Sequence, residues 1–263
     1  MPGPTARRLN VVGERALIEG RLDVLYVRDG RGRLLHDNEP SAPSPAPLVH
    51  VAAGRGLTVC GTRQDVPGSL RQQVGELACR YADACGRPSP EFVHRLQAAL
   101  RPLFALGGVY AGPAYRFPDD LPSHSGTVLL CGSTALSLKD DWDDLAEELA
   151  GVQPCTASLL DGRAVAVCQT VRRSATMAEA GLDTLPAFRR QGHGTRALLH
   201  WVEAVRLCGL EPLYSASWDN AASCGLAGSL RLVQYGTDLS IREDTREPAP
   251  AQQPHPVDGA ARR

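Results

Sequence analysis

The segment Arg189–Gly194, RRQGHG, constrains this chain more than any other because it joins a strand-like stretch to a long amphipathic one. The following residues place Leu198, Trp201, Val202 and Val205 along one side of a predicted helix. The first turn of a helix offers unpaired N–H groups and the positive end of the helix dipole, and glycines let an anion approach the backbone. The segment therefore predicts a phosphate-binding loop. A plain tight turn between strand and helix is the alternative.

Composition and charge exclude several classes of partner. The chain has 263 residues, of which 43% are apolar, and a formal net charge of -1. Its sequence pI is about 6.7. No global positive field draws such a chain to nucleic acid or to an anionic membrane. No apolar run approaches the roughly 20 residues of a membrane span, and the start lacks a signal-peptide pattern. We expect a cytoplasmic protein whose partner is a small molecule or another protein.

The eight cysteines do not predict a metal site. None forms a CxxC pair, and none lies near histidines at the spacing of zinc ligands. We expect most of them to be reduced thiols in the interior, and we expect no bound metal.

The N-terminal half reads as strands followed by helices. Leu22–Leu35 alternates around an Asp-Gly turn and predicts a hairpin, and a second β segment follows near residues 47–61. Apolar residues then recur at helical spacing between Pro67 and Leu106, with a break at GRPSP. Residues 107–126, rich in Gly and Pro, are either a linker or a loop over a cleft, and both interpretations stay open.

The C-terminal half has a more regular order. An acidic helix near residues 140–148 precedes a meander of two or three strands, then the glycine loop, a long helix, a strand, a helix and a last strand. The final residues combine proline and charge with almost no large apolar side chain, which is typical of disorder. We expect a hairpin and helical region of unknown role at 1–120, a main domain at 121–242 and a disordered tail at 243–263.

Two blocks of sequence resemble a known family. Arg189-x-x-Gly192-x-Gly194 is similar to the (Gln/Arg)-x-x-Gly-x-(Gly/Ala) signature of the GNAT N-acetyltransferase superfamily. The lead-in Leu185–Phe188 stands where that family often has a hydrophobic-Pro-x-aromatic sequence. LYSASWDNAASCGLAGSLRLVQYG resembles the strand and helix that follow. Together the two blocks extend over about residues 155–241.

The resemblance implies an α/β (α+β) fold with a mixed, mostly antiparallel sheet, splayed at a central acyl-CoA cleft and flanked by helices. Acetyl-CoA would be the cosubstrate, and its pantetheine amides would pair with the cleft strand as an added strand would. The residues implied in cofactor binding are Asp183, Thr184 and Leu185 for pantetheine; Arg189, Arg190, Gln191, Gly192, His193, Gly194 and Thr195 for the pyrophosphate; and Asn220 and Ser223 facing the acyl-CoA.

The family reaction is direct attack of an amine on the thioester, which needs a proton acceptor and a stabilised thiolate. We expect Glu179 to be the base, with Asp183 on the same strand face as its alternate. Glu179 could instead pair with an arginine such as Arg172 or Arg173 and only hold strands together. Ala227 stands where many members have a tyrosine acid.

The sequence leaves the acceptor open. An acetyltransferase acting on the primary amine of a small molecule is the first hypothesis, and a catalytically silent acetyl-CoA-binding module is the second. Acetylation of protein N-termini or lysines is not excluded. Formation of a homodimer is left open as well.

Overall fold

The computed structural model describes residues 11–40, 44–81, 86–138 and 141–245, and its central feature is a nine-stranded sheet. The helices are α1 (Val11–Leu25), α2 (Gly68–Cys79), α3 (Pro90–Leu100), α4 (Asp143–Glu148), α5 (His193–Leu207) and α6 (Ala221–Ser229). The strands are β1 (Tyr26–Arg28), β2 (Leu34–Asp37), β3 (Val49–Gly54), β4 (Leu57–Thr62), β5 (Leu106–Arg116), β6 (Thr127–Leu129), β7 (Cys155–Leu160), β8 (Arg163–Arg173), β9 (Met177–Thr184), β10 (Glu211–Ser215) and β11 (Val233–Glu243). Short 3₁₀ segments lie at Gly132–Leu138 and Pro186–Phe188.

The large sheet has the order β4-β3-β11-β5-β10-β9-β8-β7-β6. Its strands pair antiparallel except for β9 and β10, which run parallel. The expected mixed, mostly antiparallel sheet flanked by helices is therefore confirmed. Strands β1 and β2 form a separate two-stranded sheet.

Helix α5 covers one face of the sheet around the parallel pair. Its buried residues Leu198, Trp201, Val202 and Val205 pack in one cluster with Ala180 and other strand residues, which confirms the amphipathic pattern. Trp201 Nε1 donates a hydrogen bond to Thr170 Oγ1 at 3.1 Å, so its indole N–H is satisfied inside the core.

Helix α1 covers the opposite face. Leu17 and Ile18 pack with Ala52 of β3, Met177 of β9 and Leu213 of β10. Side chains alternate between the two faces along a strand, so neighbouring residues of β9 and β10 point to α5 or to α1 in turn. The N-terminal helix thus lies under the strands that carry the predicted site.

Two predictions for the N-terminal half need correction. Residues Leu22–Leu25 belong to α1, so the predicted hairpin begins only at Tyr26 and pairs Tyr26–Arg28 with Leu34–Asp37. The apolar residues at the start of the predicted hairpin also fit a helical spacing. The buried residues of that helix include Leu17 and Leu22. The helical pair after Pro67 is confirmed as α2 and α3.

The larger correction concerns residues 107–126, for which a linker or loop was predicted. The first half of this stretch belongs to β5, an eleven-residue strand that lies between β10 and β11 inside the sheet. Its glycines allow the adjacent backbone of the same sheet to approach closely. A Cβ at Gly112 would lie 1.8 Å from the carbonyl oxygen of Ala216.

The meander is confirmed as β7, β8 and β9. Strand β11 extends to Glu243, which pairs with Leu106 and was predicted as the first tail residue. The rest of the predicted tail from residue 246 lies outside the described residues. In the described part of the chain, no helix is long and apolar enough to cross a membrane.

Candidate functional site

The glycine loop opens α5. Gly192 is the residue before the helix and has φ of 81°, a left-handed conformation that favours glycine. Arg190 also has positive φ, 62°. No side chain caps the first turn, and the Gly192 carbonyl accepts from the Arg196 N–H at 3.1 Å. The first N–H groups of α5 therefore have no intrahelical partner, which is the feature that an anion-binding helix N-terminus requires.

Gly194 also has a packing role beside the one that the motif implies. A Cβ on it would lie 2.9 Å from Thr184 Oγ1 and 3.6 Å from Leu182 Cδ2. Both neighbours belong to β9, the strand of the predicted cleft. The missing side chain therefore lets the first turn of α5 pack directly against β9.

The polar side chains of the loop divide into two groups. Arg189 Nε donates to the Thr184 carbonyl oxygen at 3.1 Å, and Gln191 Nε2 donates to the Ala187 carbonyl oxygen at 3.0 Å. These two bonds fix the backbone ahead of the helix. Arg190 is exposed.

His193 lies inside the protein, although the motif implies a pyrophosphate contact. Its Nδ1 is 2.9 Å from Ser158 Oγ and 2.9 Å from Arg196 Nη2, and its ring meets Phe188 edge to face. Burial and the charge of Arg196 lower its pKa. Only its backbone N–H is placed to serve an anion, and Thr195 follows it, partly buried, in the same turn.

Strands β9 and β10 stop pairing before β9 ends. Their parallel pairing ends at Leu213 opposite Glu179, whereas β9 continues to Thr184 with its other edge paired to β8. Beyond Glu179, β9 therefore has one edge without a register partner in β10, a backbone edge that an extended ligand can pair with. The expected splay of central strands is present.

The residues assigned to pantetheine lie along this stretch. Asp183 is exposed and Thr184 partly buried, and both are still in register with β8. The Leu185 N–H donates to the Val165 carbonyl oxygen at 3.0 Å. That N–H is thus committed to the sheet, and the Leu185 carbonyl oxygen accepts from the Phe188 N–H at 2.9 Å.

Glu179, the predicted base, is buried in an ion pair. Its Oε2 contacts Nη1 of Arg21, a residue of α1, and its Oε1 accepts from Arg21 Nη2 at 3.3 Å. Ser215 Oγ donates to the same Oε1 at 2.6 Å. Sequence reasoning named Arg172 or Arg173 as the ion-pair alternative. Arg172 instead pairs with Glu39.

Arg21 links Glu179 to a second buried carboxylate. Its Nε and Nη2 donate to Asp238 Oδ2 at 2.9 and 2.8 Å. His50 Nε2 lies 3.3 Å from Asp238 Oδ1, and Tyr26 Oη lies 2.9 Å from His50 Nδ1. The network thus extends from β9 to α1, β11, β3 and β1.

Sequence reasoning missed Arg21, Asp238 and His50. A signal was present, because Arg21 stands on the same side of α1 as the buried residues Leu17 and Leu22. A charged residue on the apolar face of a helix requires a buried partner of opposite charge. The identity of that partner depends on tertiary pairing that no local pattern contains.

The groups assigned to the acyl-CoA on α6 cap the helix. Asn220 is exposed, and its Oδ1 accepts from the Ser223 N–H at 3.0 Å. Ala227, at the position of a common tyrosine acid, is 1% exposed in the core beneath α5. Two other tyrosines of the core, Tyr214 and Tyr235, are also buried, and burial raises the pKa of both phenols.

Metal ligation finds no support within the residues that the structure describes, where no group of three or more His, Cys, Asp or Glu could hold an ion. The chemistry available is instead that of a helix N-terminus beside an open strand edge, with a carboxylate pair at the end of that edge.

Comparison with known proteins gives similarity to solved structures only. No family model matches the chain, and no curated protein does. An acetyltransferase of the GNAT family from Colwellia psychrerythraea is 11% identical, with 71% of this chain and 76% of that chain covered and a TM-score of 0.44. A GCN5-related N-acetyltransferase-like protein from Streptococcus suis is 16% identical over 75% and 85% of the two chains, with a TM-score of 0.43.

A GCN5-related N-acetyltransferase from Kribbella flavida is 15% identical over 73% of this chain and 88% of that chain, with a TM-score of 0.42. At these identities and scores the likeness carries no argument about substrate or mechanism. The chain is similar to solved proteins of the GNAT family. Its RRQGHG segment resembles the signature of the same superfamily.

Proposed function

We propose that this protein is a GNAT-type acyltransferase that binds acetyl-CoA and transfers its acetyl group to a primary amine of a small molecule. One observation carries the proposal. The uncapped N-terminus of α5, opened by Gly192 in a left-handed conformation, adjoins the strand whose edge is left unpaired where β9 and β10 diverge. A pyrophosphate and an extended amide-bearing arm need these two features side by side.

The residues present fit that ligand. The N–H groups of His193, Gly194 and Thr195 would hold the pyrophosphate, with Arg190 adding an exposed charge. The open edge of β9 from Ala180 to Thr184 would pair with the pantetheine amides. Bound acetyl-CoA would supply an activated acyl carbon. The amine nitrogen would bond to that carbon as the carbon–sulfur bond breaks.

Glu179 remains our proposed proton acceptor, with Asp183 as the alternate on the same face of β9. About 3.3 Å of rise per residue separates the two by roughly 13 Å along the strand. Glu179 therefore lies at the closed end of the cleft and Asp183 near its exposed mouth. The closed end is where the acyl carbon of an arm entering at α5 would lie.

A second candidate function is a catalytically silent acetyl-CoA-binding module. Two observations favour it: the ion pair of Glu179 with Arg21, and the buried Ala227 in place of a tyrosine acid. Both candidates require acetyl-CoA binding, and only the first requires release of free CoA in the presence of an amine. A panel of small primary amines assayed for CoA thiol release distinguishes them.

Binding itself is tested by Gly192→Ala, read by isothermal titration with acetyl-CoA. A side chain here opposes the left-handed backbone, with φ of 81°, and crowds the approach of the pyrophosphate. We expect a loss of affinity of about tenfold or more, equivalent to about 1.4 kcal/mol.

Gly209→Ala is the matched control. Gly209 follows α5 at its other end with φ of 75° and open space around it, so the substitution imposes similar backbone strain far from the loop. Acetyl-CoA affinity should be unchanged there. Parental affinity in folded Gly192→Ala, or no acetyl-CoA binding by the parent, would refute the loop assignment.

A further inference from the structure

The guanidinium of Arg21 is enclosed between two carboxylates on the α1 face of the sheet. It pairs with Glu179 of β9 and with Asp238 of β11, and its side chain is 1% exposed. Ser215 Oγ completes the surroundings by donating to Glu179 Oε1 at 2.6 Å. Glu179, Asp238 and Ser215 form what we call the cation pocket.

The cation pocket lies at the end of the cleft. Glu179 is the last residue of β9 that is paired with β10, and Ser215 is the last residue of β10 itself. An acyl arm that enters at Gly192 and follows β9 would bring its carbonyl to this point. The assignment of the cation pocket to the end of an acyl-CoA cleft rests on the proposed function. The ion pairs of Arg21 with Glu179 and Asp238 do not depend on that function.

The chemistry of the pocket suits an organic cation with N–H donors. Two carboxylates present four oxygens, of which Arg21 contacts three: Asp238 Oδ2, Glu179 Oε1 and Glu179 Oε2. Charge-assisted bonds of this kind are the strongest that a protein offers to an ammonium or guanidinium group. An amine acceptor of the proposed reaction must likewise place a nitrogen with N–H donors beside Glu179, the proposed base.

Packing makes Arg21 a permanent occupant. Leu17, Ile18 and Leu22 of α1 are all buried, and Gly20 packs so closely that a Cβ would lie 2.6 Å from Met177 Cε. Undocking the helix would expose all of this apolar surface to water. A dissolved cation therefore competes poorly with an arginine that the fold itself delivers.

We propose that Arg21 fills the acceptor pocket of a GNAT-type site in place of a cationic amine, and so slows acetyl transfer to external amines. Without the arginine side chain, the cation pocket binds a small alkylammonium or alkylguanidinium ion. Arg21 thus competes with the acceptor from within the fold, so acetyl-CoA binding is retained while transfer to external amines is slowed.

The test compares the full-length parent with Arg21→Ala and Arg15→Ala. Arg15 lies on the same helix but is 65% exposed, so its removal leaves the pocket filled. Methylguanidine is the binding probe, followed by thermal shift against sodium chloride of equal ionic strength. We expect a saturable stabilisation of Arg21→Ala only, and we expect it to disappear in Arg21→Ala/Glu179→Gln.

The second readout is release of CoA from acetyl-CoA with n-butylamine as acceptor. We expect Arg21→Ala to exceed the parent and Arg15→Ala by about 100-fold, the lower range of what a freed general base contributes. Acetyl-CoA titration of all three proteins is the reference, with equal affinities expected. A parent that binds no acetyl-CoA would sink the proposed function, whatever methylguanidine does.

The outcome that overturns the pocket proposal is distinct. Arg21→Ala would bind acetyl-CoA as the parent does, yet gain neither methylguanidine binding nor CoA release. A parent that already acetylates n-butylamine as fast as Arg21→Ala would also overturn it. If Arg21→Ala does not fold alone, it is refolded with and without millimolar methylguanidine. Recovery only with the probe supports the pocket, and no recovery counts against it.

Discussion

Asp238 ties acid stability to the buried ion pair. Burial alone would raise the pKa of this carboxyl, but the charge of Arg21 and the hydrogen bond with His50 outweigh burial and hold the pKa well below its usual value. A folded pKa below the unfolded value of about 3.9 stabilises the fold above that pH, and this contribution is lost as pH falls toward the folded pKa.

We therefore expect the parent to lose stability on acidification more steeply than Asp238→Asn, by about 1.4 kcal/mol per pH unit below about pH 4. Near neutral pH the variant should be less stable by about 3–5 kcal/mol, because Arg21 loses a buried partner. Urea unfolding at a series of pH values measures both. Asp219→Asn, whose side chain is 81% exposed, is the control and should follow the parent curve. Parallel curves for parent and Asp238→Asn would contradict the linkage.

Gly194 couples the phosphate loop to the cleft strand. In Gly194→Ala the new Cβ would lie 2.9 Å from Thr184 Oγ1, so either the Thr184 side chain or the first turn of α5 must move. We expect a destabilisation of about 1–3 kcal/mol, as for other overpacked sites, together with weaker acetyl-CoA binding.

The control for this prediction is the double variant Gly194→Ala/Thr184→Ala. It removes Thr184 Oγ1, the atom that the new Cβ would contact. Stability and affinity should recover in part relative to Gly194→Ala, after correction for Thr184→Ala alone. Strictly additive effects would mean that the contact between Gly194 and Thr184 does not set the position of the helix.

At this scale the sequence predicted the local structure of the candidate site but not its internal contacts. RRQGHG predicted a glycine-containing helix N-terminus, and Gly192 directly precedes α5. Glu179 was selected as a carboxylate on the cleft strand, where it lies. Its partner Arg21 is 158 residues away in the chain, and local spacing contains no information about such a pairing.

Among the elements, β5 departs most from what its sequence indicates. Glycine and proline are depleted in strands, so GGVYAGPAYR was interpreted as a linker or a loop. Tertiary packing reverses that preference, because Gly112 lies where a Cβ would be 1.8 Å from the Ala216 carbonyl oxygen. The helices α2, α3 and α5 could be predicted, since their apolar spacing is itself the cause of their packing.

Gly112→Ala should therefore disrupt the β5–β10 contact, with a destabilisation of more than about 3 kcal/mol or a failure to fold. Gly108→Ala on the same strand has open space around its Cβ and should stay within about 0.5 kcal/mol of the parent. Chemical denaturation of the two variants gives the comparison. Equal stabilities of the two variants would mean that the close contact at Gly112 does not contribute to the free energy of unfolding.

For the whole molecule, the position of β5 decides how the two halves depend on each other. The strand precedes residue 120 in the chain, yet it pairs with β10 on one side and β11 on the other, both from the C-terminal half. The sheet is thus continuous across the domain boundary that composition suggested. Helix α1 adds a second link through the pair of Arg21 with Glu179.

We therefore expect residues 121–245 alone to fail to fold, because β10 and β11 would each lose a central partner and the cation pocket would hold two uncompensated carboxylates. The isolated fragment should have little dispersion in its NMR spectrum and should not bind acetyl-CoA. Adding residues 1–120 as a separate chain during refolding should restore both properties, since β5 and α1 are then supplied together. Fragment 1–120 with Gly112→Ala is the matched control and should restore neither. An isolated 121–245 fragment that folds cooperatively and binds acetyl-CoA would instead establish an autonomous C-terminal domain, with β5 and α1 as additions that the cofactor site does not require.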